Sequence, residues 1–105
     1  MKKGLLLGIA LAAGFFMGGQ AIAHSPLCSC FDNGDDTITC EGGFSDGSAA
    51  VGMEARVEDV VGKVLLKGEM DAIGEYTFKK PELPFVFVFD AGPGHVVKIN
   101  EKDIQ

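Results

Sequence analysis

An all-β fold, a sandwich of about seven antiparallel strands behind a cleaved leader, is what this 105-residue chain predicts. Three observations carry that expectation. Strand signals recur roughly every 8–12 residues past the leader. The gaps between them hold the Gly, Asn, Asp and Pro residues that turns require. No segment after residue 23 shows the 3.6-residue apolar period of a helix.

The leader comes first. Lys2 and Lys3 form a positive start, Gly4 to Met17 an apolar core, and Gly18-Gly19-Gln20 a break before Ala21-Ile22-Ala23. Small residues at 21 and 23 are what a signal peptidase reads, so cleavage is expected before His24. A membrane-spanning helix needs about 18–25 continuous apolar residues, and this run is interrupted too early. No cysteine lies in residues 1–23 to accept a lipid anchor. The division is therefore 1–23 signal peptide and 24–105 one β-sandwich domain, periplasmic or secreted, with no membrane insertion of the mature chain. Cleavage removes two of the 9 basic side chains and none of the 15 acidic ones, leaving a net charge near −8. Such a balance excludes nucleic acid as a partner, because phosphates demand a basic face. It disfavours an anionic membrane surface for the same reason.

The strands follow in order. Leu27 to Phe31 and Thr37 to Phe44 flank Asp32-Asn33-Gly34-Asp35-Asp36, an Asn-Gly turn, and read as a hairpin. Ser45-Asp46-Gly47-Ser48 is the next turn. In Val51 to Glu58, Met53, Ala55 and Val57 alternate with Glu54, Arg56 and Glu58, the pattern of a half-buried strand. Gly62 ends a turn before Lys63 to Lys67. Asp71-Ala72-Ile73-Gly74 precedes Glu75 to Lys79, where Tyr76 and Phe78 share a face. Pro81 and Pro84 fix an extended crossover. Phe85-Val86-Phe87-Val88-Phe89 is apolar on both faces and so belongs at the centre of a sheet. Ala91-Gly92-Pro93-Gly94 turns the chain into His95 to Ile99. Seven strands in so short a chain make an immunoglobulin-like sandwich the economical arrangement.

Val57 to Leu65, Gly68, and Asp71-Ala72-Ile73-Gly74-Glu75-Tyr76-Thr77-Phe78 together resemble the carboxypeptidase regulatory-like (transthyretin-like) domain. Phe44-Ser45-Asp46-Gly47-Ser48 and Ala91-Gly92-Pro93-Gly94-His95 look like segments of the small periplasmic accessory component of nickel and cobalt uptake transporters. The resemblance covers roughly residues 42–99. It implies a transthyretin-like (prealbumin-like) sandwich without catalysis, accessory to nickel or cobalt uptake and partnered by a membrane metal transporter or another envelope protein.

Candidate chemistry centres on two histidines and three cysteines. If cleavage follows Ala23, His24 supplies both a free amine and an imidazole, a pair suited to nickel, cobalt or copper. Cleavage two residues earlier gives Ile22-Ala23-His24, a third-position histidine that favours square-planar Cu(II) or Ni(II). His95 opens the last strand, which a sandwich can set beside the first, so His24 and His95 are the candidate metal ligands. The competing reading leaves His95 an exposed turn residue. Cys28, Cys30 and Cys40 share a face of the hairpin. A three-residue loop over Asn33 to Asp35 sets Cys28 opposite Cys40, so a Cys28–Cys40 disulfide with Cys30 unpaired is preferred. Thiolate ligation of a soft metal by Cys28, Cys30 and Cys40 is the alternative. Asp32, Asp35 and Asp36 lack the spacing of a calcium loop and read as turn residues. No Ser/His/Asp set or carboxylate pair can be assembled, so no enzyme is expected. The functional expectation is an extracytoplasmic binding domain for metal uptake or handling; its alternative is an envelope interaction module with no metal role.

Overall fold

The computed structural model describes residues 25–105; the expected leader at 1–23, its cleavage site and His24 lie outside the described residues. The described residues form seven strands: β1 (Pro26–Asp32), β2 (Thr37–Phe44), β3 (Glu54–Asp59), β4 (Val64–Glu69), β5 (Glu75–Lys79), β6 (Phe85–Asp90) and β7 (Val96–Asn100). A short 3₁₀ turn, Glu101–Asp103, follows them. They form two antiparallel sheets, ordered β1-β2-β5 and β4-β3-β6-β7.

The sheets face each other through aromatic side chains. Phe78 on β5 stacks on Phe87 of β6 with ring centroids 5.8 Å apart, and meets Phe85 edge-on at 5.9 Å. Ile38, Cys30 and Cys40 complete the first inner face; Ala55, Val57 and Phe89 complete the second. Ala50 and Met70, from the connections, fill the space between. Gly42 is closely packed there. A methyl on it would lie 3.0 Å from Met70 Cε and 3.3 Å from Phe89 Cζ.

The alternation on β3 works as its pattern predicts. Ala55 and Val57 are fully buried, while Arg56 on the outer face binds Glu58, Asp90 and Glu54 at 2.7, 2.9 and 2.6 Å. β6 is central, between β3 and β7, and its outward Val88 is also fully buried. Val88 sits directly opposite Arg56 and Lys98, long side chains whose aliphatic stems can cover such a position.

Several boundaries move. β3 starts at Glu54 rather than Val51, because Ala50 to Met53 form a turn in which Gly52 has φ 75° and donates to the Met70 carbonyl. β4 runs on to Glu69 and carries a bulge opposite Val57 and Glu58. β7 begins at Val96, since His95 still closes the preceding turn by donating to the Gly92 carbonyl. No helix among the described residues is long and apolar enough to cross a membrane.

Candidate functional site

The hairpin carries the first correction. Its three-residue loop is displaced one residue toward β2. Asn33 N–H donates to the Thr37 carbonyl at 3.0 Å, so these two residues close the ladder. The Asn33 amide also donates to Thr37 Oγ1 (3.0 Å) and Thr39 Oγ1 (2.9 Å), which holds it on the strand. Asp36 then takes the left-handed position that closes the turn, with φ 72°. A one-residue displacement of the loop changes every partner by two, so Cys30, not Cys28, faces Cys40. The disulfide is Cys30–Cys40. The preferred Cys28–Cys40 pairing is thus overturned, and so is a cluster of three thiolates, because two of the sulfurs are bonded to each other.

Cys28 is the free cysteine. It lies two residues before Cys30, opposite Gly42, and half-buried against the core. Burial, with a smaller push from the Glu41 carboxylate, drives its thiol up to about 12. A thiol so rarely ionised is neither a ready nucleophile nor a ready metal ligand.

The two histidines fare differently. His95 is exposed in the β6–β7 turn, where Ala91 N–H donates to its carbonyl. Its Nδ1 lies 3.1 Å from the Pro93 carbonyl oxygen. A carbonyl only accepts, so this bond puts the proton on Nδ1 and leaves Nε2 of the neutral ring with its lone pair toward solvent. β1 and β7 are in contact, though they belong to different sheets rather than lying paired side by side. Pro26 pairs with Phe44, Phe44 packs on Phe89 at 6.1 Å, and Phe89 pairs with Val97. That chain of contacts places Ser25 and His95 at the same end of the sandwich. The Ser45–Ser48 turn is there too: Ser25 N–H donates to Ser45 Oγ at 3.0 Å, and Ser45 N–H to the Ser25 carbonyl at 2.9 Å.

No protein-family model, curated protein or solved structure matches this chain.

Among the described residues, no group of three or more His, Cys, Asp or Glu side chains is placed to hold a metal ion. A site at this end would need groups beyond those residues. Sequence reasoning missed one feature altogether, an apolar groove along β4 lined by Leu65, Leu66, Pro81 and Leu83. Pro81 and Leu83 come from the β5–β6 crossover, distant from β4 in sequence, so no local pattern announced it.

Proposed function

We propose that this chain is an extracytoplasmic, non-catalytic binding domain that serves transition-metal uptake, with nickel or cobalt as cargo and a membrane transporter as partner. The finer fold class is immunoglobulin-like, of the transthyretin-like kind. The strand orders β1-β2-β5 and β4-β3-β6-β7 support this, since they bring the first and last strands together as a Greek-key sandwich does. The observation that carries the metal reading is the His95 ring. A metal-binding imidazole characteristically donates its other N–H to a carboxylate or a backbone carbonyl, and His95 does so to Pro93. Its Nε2 is left as the ligand atom, at the end where the described chain begins. His24, one residue before Ser25, would supply an amine and a second imidazole.

Calorimetry with Ni(II), Co(II) and Cu(II) tests this on protein whose N-terminus mass spectrometry places at His24. Binding should weaken in His95→Ala and nearly vanish when one residue is added ahead of His24. It should also weaken on acidification, because protonated imidazole does not ligate. Equal affinity in the parent and both variants would sink the two-histidine site.

A further inference from the structure

We propose that β4 is a docking edge for an extended segment of another protein, one that alternates apolar and acidic side chains. Among the described residues β4 pairs only with β3, so it forms one edge of its sheet. Met70 N–H donates to the Met53 carbonyl across that pair. Antiparallel alternation from this bond turns the Gly68 and Leu66 backbones toward β3 and those of Lys67 and Glu69 outward, where a strand can add.

Beside this edge runs the groove of about 360 Å³ between Leu65 and Leu66 and the crossover residues Pro81 and Leu83. Its rim is unusually apolar. Of the nine exposed large apolar side chains among the described residues, Leu66 and Leu83 line it, and Val60, Val61 and Val64 lie in the adjoining β3–β4 turn and at the start of β4. The β3–β4 turn does not need its two valines. It is held by Asp59 Oδ1, which accepts from Val61 and Lys63 N–H, and by Gly62 at φ 91°. Yet Val60 and Val61 stand 70% and 85% exposed. Apolar side chains gathered at a surface without a folding role mark a contact site.

Charge selects the occupant. Lys79 and Lys80 line the groove together with Glu82, while Lys67 lies on the outer face of β4 and Lys63 just before its start. Four of the seven basic side chains of residues 25–105 therefore gather at this edge of a domain with net charge near −8. The ion pairs that two of them make are open to solvent and easily exchanged, Lys80 with Asp32 at 3.4 Å and Lys67 with Glu54 at 3.7 Å. A second copy is disfavoured, because it would bring lysine rim to lysine rim and one acidic domain to another. An acidic partner strand that puts its apolar side chains in the groove turns its carboxylates to the opposite face, where Lys67 stands across from Arg56.

The proposal is independent of metal binding, and its test is run with chelator present. A ten-residue peptide alternating Val and Glu is titrated into the mature protein, with its Val/Lys counterpart as control. The Val/Glu peptide should protect the Lys67 and Glu69 amides from exchange and shift Leu66 and Leu83 signals, with affinity falling as salt rises. Lys67→Glu should weaken it several-fold, this being a solvent-facing charge whose reversal leaves the fold intact. Equal binding of both peptides, or no binding of either at millimolar concentration, would overturn the proposal. So would protection on β1, β5 or β7 instead, or self-association of the protein through β4.

Discussion

Removing the hairpin disulfide with Cys30→Ala plus Cys40→Ala should destabilise the domain far more than Cys28→Ala. The two cysteines are ten residues apart. Closing a loop of that length removes about 2.7 kcal/mol of unfolded-chain entropy at 25 °C. Unfolding entropy scales with size at about 2.1 cal/mol/K per residue, or about 0.17 kcal/mol/K for the 81 residues from 25 to 105. The double variant should therefore melt about 16 °C lower, and reduction of the parent should do the same. Cys28→Ala removes a half-buried thiol with no bond to lose, so its cost should stay below about 1 kcal/mol. Alkylation supplies a second reading. At pH 8 a thiol near 12 is ionised to about one part in 10⁴, against about a quarter for a free cysteine. Allowing for the higher intrinsic nucleophilicity of the more basic thiolate, Cys28 should react roughly 10²-fold more slowly in the native protein than in denaturant. Equal melting losses for Cys28→Ala and the double variant, or a Cys28–Cys40 link in peptide maps, would refute the register.

Two further outcomes follow from packing and charge. Gly42→Ala forces a methyl against Met70, Ala50 and Phe89 and should cost about 1–3 kcal/mol in urea unfolding; a neutral result would refute the close contact between the sheets there. Asp90 is held below the usual carboxylate range by Arg56, and Asp32 and Asp35 by the Gly34 backbone N–H and the Thr37 hydroxyl respectively. Groups with lowered values stabilise the fold above their unfolded pKa, so melting temperature should hold above about pH 5 and fall as pH drops through the lowered values. Asp90→Asn should make that acid loss shallower.

The strands were legible because each has a short alternating or wholly apolar run bounded by turn residues. Phe85 to Phe89 could be assigned to a sheet centre, since an apolar pattern on both faces has no other place in a sandwich. Register was the weak point. Asn33-Gly34 locates a turn, but which residue takes the left-handed position depends on where the Asn33 amide finds acceptors, and Thr37 and Thr39 decided that from across the ladder. The same face was occupied either way, so the cysteine cluster was foreseen and its pairing was not. The β4 groove shows the other limit, because it joins Leu66 to Leu83 across seventeen positions and no periodicity spans that distance.

The acidity of the chain invites a cation-binding reading, and the turns supply a different cause. Asp32, Asp35, Asp46, Asp59, Asp71 and Asp90 each accept, through Oδ1, the N–H two residues ahead. Asp59 and Asp71 accept a second N–H four residues ahead, in matching turns closed by Gly62 and Gly74. An asparagine oxygen accepts the same bonds without the charge. Asp59→Asn and Asp71→Asn should then stay within about 0.5 kcal/mol of the parent, while Asp59→Ala and Asp71→Ala, losing two bonds each, should cost about 1–2 kcal/mol. If asparagine costs as much as alanine, the charge itself is needed and the turn account fails. If it does not, these carboxylates are consumed in shaping the chain, and a metal reading must rest on His95 and the residues that precede Ser25.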